Sequence, residues 1–162
     1  MSVLVFPPTT ALGSDAAPLA APSGEVLLRI SGEIDNANVG DEAHFDRAMI
    51  EELPARRLDT STVVTDGVQS FDGVLMRDLL AAAGARGDTV SARALNDYTI
   101  DIPVGDFSDF DVVLALRMNG EELTARDKGP LWIVYPRDDF AELRDIRYDY
   151  RWVWQLIHLE VQ

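Results

Sequence analysis

Apolar positions along this chain change period several times, and each change marks an element. Val26, Leu28 and Ile30 recur at every second position and stop at Gly32, the signature of a strand with one buried face. After Asp41, Phe45, Met49 and Leu53 recur every fourth residue. This predicts a short helix capped by Asp41 and closed by Pro54, with His44 on its surface. Residues 58–65 are rich in Thr and Val and read as extended. Asp66-Gly67 reads as a turn into a second helix, whose stripe is Leu75, Leu79, Leu80 and Ala83 and whose C-terminal cap is Gly84.

Beyond that helix the period returns to two. Residues 90–94 and 98–102 predict a strand pair joined tightly at Asn96-Asp97. The acidic DFSDFD segment, 106–111, reads as a loop or a single helical turn. Residues 112–118 form a near-continuous apolar strand, and Asn119-Gly120 is the strongest hairpin signal in the chain. Residues 131–135 predict a short buried strand stopped by Pro136, 137–147 an irregular polar stretch, and 152–161 a long final strand carrying His158. On that strand, Trp152 and Trp154 would share one face. Strands outnumber helices, which predicts an α+β fold, a mixed and mainly antiparallel sheet or barrel with short inserted helices.

Composition narrows the function classes. The 162 residues suit one domain, and 47% apolar content supplies a core. A net charge of −14, from 28 acidic and 14 basic residues, argues against nucleic acid as a partner and against an anionic membrane surface. No stretch is long enough to insert into a bilayer. With no cysteine and only two histidines, far apart in sequence, the chain offers no thiolate and no imidazole cluster for a metal. Residues 1–24 form a low-complexity lead rich in Ala, Pro, Ser and Thr, a flexible start or a signal remnant, ahead of a domain at 25–162. An exported, periplasmic protein is the favoured location, with the cytoplasm as the alternative.

Three segments in order resemble one family. FDGVLMRDLLAAAG (71–84), ARALNDYTIDIP (92–103) and MNGEELTARDKGPLWIVYP (118–136) are similar to the molybdopterin-binding domain of sulfite-oxidase-type oxidoreductases. RWVWQLIHLEV (151–161) occupies the place of that family's terminal strand, so the likeness spans about residues 57–162. In the enzymes, the strand before the first segment ends in a cysteine that ligates molybdenum; here it reads TSTVVTDG (60–67) and has none. Hydroxyls are hard ligands that replace a soft thiolate poorly. The chain thus resembles a compact, cysteine-less branch of bacterial pterin-binding proteins. That implies a pterin ligand, reduced or oxidised, without molybdenum, and a sensor role toward a membrane-bound signalling partner. A molybdopterin-dependent oxidoreductase and an interaction module with a vestigial pocket are the alternatives.

A pterin edge presents an amino group and a ring N–H, which a carboxylate accepts in pairs, while aromatic faces hold the ring. In light of the resemblance, the candidates are Asn96, Asp97 and Tyr98 on the tight connection. Trp132 and Trp154 are candidates for stacking, and Lys128 for donating to the pterin carbonyl. Thr62, Thr65 and Asp66 stand where the enzymes keep their cysteine, and Arg147 and Arg151 belong to a local basic cluster. Each has a plainer reading as turn, core or surface ion-pair chemistry. No catalytic residue and no metal ligand is expected.

Overall fold

The computed structural model describes residues 18–162. Most of the 1–24 lead lies outside the described residues. Among the described residues, ten strands run in chain order: β1 (Val26–Gly32), β2 (Ala43–Asp46), β3 (Ala55–Ser61), β4 (Val68–Leu75), β5 (Thr89–Ala94), β6 (Thr99–Pro103), β7 (Val113–Met118), β8 (Glu121–Glu122), β9 (Trp132–Val134) and β10 (Leu156–Val161). Among the described residues, four short α-helices and one 3-10 turn (Ala141–Arg144) punctuate them: α1 (Arg47–Glu51), α2 (Met76–Ala82), α3 (Gly105–Asp109) and α4 (Ile146–Asp149).

The strands form two open sheets. The first has the order β2-β1-β10-β5-β6; the second has β3-β4-β7-β8, with β9 also on β7. Only β1 and β10 pair in parallel; the other ladders are antiparallel. Neither sheet closes, so this is an α+β domain of two sheets rather than a barrel. Alternation places Leu28 and Ile30 of β1, Ala92 of β5 and Leu159 of β10 inside, and these join Phe71, Leu114 and Trp132 of the second sheet in one core.

The sequence pattern misplaces three elements. Residues 43–46 are strand, because they pair with β1 (His44 opposite Arg29), and the helix begins only after Asp46, whose side chain accepts the Met49 N–H at 2.9 Å. His44 is therefore a strand residue, and Asp41 caps nothing. The second predicted helix starts late, at Met76, since Val68–Leu75 pairs with both β3 and β7. The final strand starts at Leu156, because Gln155 has a left-handed backbone (φ +52°) that interrupts it. Trp152 and Trp154 thus precede the strand and part company: Trp152 is buried and Trp154 is 37% exposed.

Turn chemistry holds where it was read. Asn119 and Gly120 have φ of +54° and +82° between β7 and β8, the left-handed pair of the favoured hairpin turn. Gly84 ends α2 with φ +65°.

Candidate ligand-binding site

Two chain segments meet beside the end of the first sheet and enclose a cavity of about 250 Å³. One wall is the β5–β6 connection, with Ala94, Asn96 and Tyr98. This turn forms because the Asn96 side-chain oxygen accepts the Tyr98 N–H at 3.2 Å and the Ala94 carbonyl accepts the Asp97 N–H at 3.0 Å. Asp97 takes the left-handed position, φ +68°. The other wall is the strap from Asp149 to Trp154 that links α4 to β10.

Four contacts hold that strap. The Val153 carbonyl accepts the Ile133 N–H at 2.9 Å, and Trp132 bridges Trp154. The Tyr98 hydroxyl donates to the Tyr150 carbonyl at 2.9 Å, tying the two walls together. The Arg151 guanidinium turns inward to Asp106. Burial, and then the neighbouring Tyr150, raise the Tyr98 pKa, so its phenol stays a neutral donor.

The cavity is aromatic, with polar groups that lack partners. Trp152 forms its inner side, stacked on Tyr135 with ring centroids 6.2 Å apart and planes 26° from parallel. Tyr98, Tyr150 and Trp154 are all exposed at its mouth. Among the described residues, six buried side-chain polar atoms have no hydrogen-bond partner; two belong to this cavity's walls, Asp149 Oδ1 and Trp152 Nε1. Both atoms are sealed from water within residues that line the cavity, so each is a buried polar group without a partner at the site's edge.

The structure gathers some of the sequence candidates and scatters others. Asn96, Tyr98 and Trp154 line the cavity. Lys128 stands beside it, its ammonium 5.9 Å from the Trp154 ring centroid and 3.0 Å from Asp127. Asp97 shapes the turn without lining the cavity. Trp132 is fully buried, packed edge-on to Phe71 with centroids 5.2 Å apart, and offers no face to a ligand. Arg151 is committed to Asp106 and lies over the Tyr148 ring, 4.8 Å from its centroid. Arg147 grips Asp145, the N-cap of α4.

Thr62, Thr65 and Asp66 belong to the β3–β4 connection and line no part of this cavity. Their hydroxyls serve local structure: Thr62 and Thr65 bond each other at 2.7 Å, and Thr62 accepts the Val64 N–H. Asp66 is exposed, its carbonyl accepting from Gln69. Asp149 and Tyr150 line the cavity although they were not among the sequence candidates. Their signal was the run Asp149-Tyr150-Arg151-Trp152, a carboxylate interleaved with rings, which periodicity alone assigns to nothing.

The fit to a pterin can be judged from this donor set. The cavity is smaller than the roughly 300–1,000 Å³ of drug-sized sites, the scale of a compact bicyclic ring. Asp149 suits the amino and N–H edge, the Trp152 indole N–H suits a carbonyl or ring nitrogen, and the rim aromatics suit the ring faces. A molybdenum centre finds no soft protein donor here, since the chain has no cysteine. No trio of His, Asp or Glu is placed to hold a metal among the described residues.

Comparison with known proteins agrees with this architecture. A family model described as the oxidoreductase molybdopterin-binding domain matches residues 48–141, which include the Asn96–Tyr98 wall but not the strap. Among solved structures, the crystal structure of the sulfane dehydrogenase SoxCD from Paracoccus pantotrophus superimposes with a TM-score of 0.62 at 21% identity. That match covers 83% of this chain but only 37% of the SoxCD chain, and at this identity the likeness is one of fold. No curated protein is significantly similar to the chain. With more than half its length matched by the family model, the chain belongs to the oxidoreductase molybdopterin-binding domain family.

Proposed function

We propose that this chain is a non-catalytic pterin-binding module that takes the ring without molybdenum. The observation that carries the reading is an aromatic cavity lined by Asp149 and Trp152, each of which also has a buried polar atom without a partner. Asp149 accepts the paired donors of the pterin edge, a charge-assisted arrangement stronger than neutral hydrogen bonds. Trp154 and Tyr98 cover the ring, and Lys128 places positive charge next to Trp154. No proton transfer is needed for binding alone.

A sensor role in the periplasm, reporting to a membrane-bound signalling partner, belongs to the same proposal. Its support is the exposure of Tyr98, Tyr150 and Trp154, which puts the occupied mouth where a partner could read it.

Tryptophan fluorescence tests the reading, because two of the three tryptophans line the cavity. Reduced and oxidised biopterin are expected to quench emission saturably, and Asp149→Asn to weaken binding about tenfold or more. Absence of quenching by either form at millimolar concentration would sink the proposal. Stoichiometric molybdenum in the purified protein would sink its metal-free part.

A further inference from the structure

The outer face of the first sheet carries a second arrangement, separate from the aromatic cavity. Residues opposite one another on neighbouring strands share a face. His44 on β2 stands opposite Arg29 on β1, Arg29 opposite His158 on β10, and His158 opposite Arg93 on β5. Two guanidinium groups and two imidazoles therefore form one row across four strands, spaced about 4.8 Å apart. The row lies in a chain with twice as many acidic as basic residues, 28 against 14.

Most groups on this face have partners. Glu42 binds the His44 ring at 2.7 Å and lies 3.8 Å from Arg29. The next row holds Ser31, Glu160, Ser91 and Asp101, and the Ser31 hydroxyl meets His158 Nε2 at 2.8 Å. Arg93 differs. Among the described residues its guanidinium makes no ion pair or hydrogen bond, and its Nε is buried without an acceptor. A buried, charged donor in that state calls for an acceptor. A cavity of about 300 Å³ lies alongside, lined by Val26, Leu27, Leu28, Arg29, His44 and Ile157.

We propose that Arg29, Arg93, Ser31 and His158 form a binding site for a phosphate group on the outer face of the first sheet. The backbones of Arg29 and Arg93 are two strand spacings apart, about 10 Å, with the shorter His158 between them. An oxyanion seated over the imidazole therefore meets a guanidinium fork from each side, the geometry in which arginine binds phosphate best. The Ser31 hydroxyl supplies a neutral donor. Burial, followed by Arg29 and Arg93, lowers the His158 pKa, while Glu42 and Glu160 oppose this. The unliganded ring is thus neutral near pH 7, and a bound dianion would reverse the local field and favour its proton. The apolar cavity beside Arg29 has room for the organic part of a phosphomonoester.

NMR of the two imidazoles tests this, with His44→Gln assigning the pair. Inorganic phosphate is titrated at constant ionic strength, and glycerol 3-phosphate in parallel. The expected result is a saturable shift of the His158 signals with a rise in its pKa, and binding about tenfold weaker in Arg93→Gln. Tighter binding of glycerol 3-phosphate identifies the phosphomonoester as the ligand, and equal binding identifies the free anion. Should Arg93→Gln fail to fold, Arg29→Gln is read the same way. No saturable shift at about 50 mM phosphate, the same shift with chloride, or full binding by the folded arginine variant overturns the site.

Discussion

The Arg151 guanidinium stands 2.6 Å from Asp106 Oδ2, and the same oxygen accepts the Tyr135 hydroxyl at 2.9 Å. This trio joins α3, the end of β9 and the strap that walls the ligand cavity. Burial, reinforced by the Asp106 charge, pushes the Tyr135 pKa far upward, so the phenol remains a donor. The arginine thus anchors the strap.

Removing the shared carboxylate is expected to be costly, because it strands a cation with only 22% of its side chain exposed. Asp106→Ala should lower stability by about 3 kcal/mol, and Tyr135→Phe by about 1 kcal/mol. Urea denaturation measures both. A loss below about 1 kcal/mol for Asp106→Ala would mean that the pair does not anchor the strap.

Gly73 makes a second, steric prediction. A Cβ on it would overlap the Leu114 carbonyl oxygen, where β4 pairs side by side with β7 next to a bulge. The atoms it would meet are all backbone of β7, so nothing flexible is there to yield. Gly73→Ala is expected to cost about 3 kcal/mol or more, with loss of near-UV circular dichroism. A variant with wild-type thermal stability would show that the close approach is wrong.

Legibility in the sequence followed locality. Asn119-Gly120, Asn96-Asp97 and Gly84 were readable because a turn residue carries its own backbone requirement. Ala43–Asp46 was not, since Phe45 and Met49 suit a helical stripe until β1 supplies a partner for His44. Phe71 and Gly73 alternate with a strand's period, yet the stripe from Leu75 onward masked it. The cavity was half legible: Asn96 and Tyr98 share one turn, whereas Asp149 reaches the site only through the tertiary placement of the strap.

Stability should fall in acid, and the sign follows from five groups. Glu42 is held below its usual carboxylate range chiefly by His44, Asp46 by the Met49 and Gly24 amides, Asp111 by Arg77, and Asp138 by Ser61. A depressed carboxylate contributes stability above its unfolded pKa of about 4, and this is lost as pH falls through the lower folded value. His158 is depressed too, mainly by burial. The unfolded imidazole therefore takes its proton first, and stability declines below about pH 6.5. Urea midpoints should be flat between about pH 7 and 9, fall gently below that, drop steeply in the acid range, and fall again above about pH 10, where the unfolded chain ionises the phenols that folding holds protonated in Tyr98 and Tyr135. Asp111→Asn should flatten the acid limb; midpoints that rise on acidification would contradict the assignment.

Two tryptophans on one bridge should behave oppositely. Trp132 is fully enclosed, edge-on to Phe71 and tilted against Trp152, whereas Trp154, its bridge partner, is 37% exposed at the cavity mouth. Trp132→Ala opens a large hole in the core and should cost about 3–5 kcal/mol. Trp154→Ala removes a half-solvated ring and should cost under about 1 kcal/mol, while weakening pterin binding by at least about tenfold. Thermal melts and fluorescence titrations on the same two variants separate stability from recognition. If Trp154→Ala binds pterin as the parent does, the ring does not stack on that face and the ligand must lie deeper, against Trp152. If Trp132→Ala folds stably, the junction of the two sheets is looser than the packing of its rings implies.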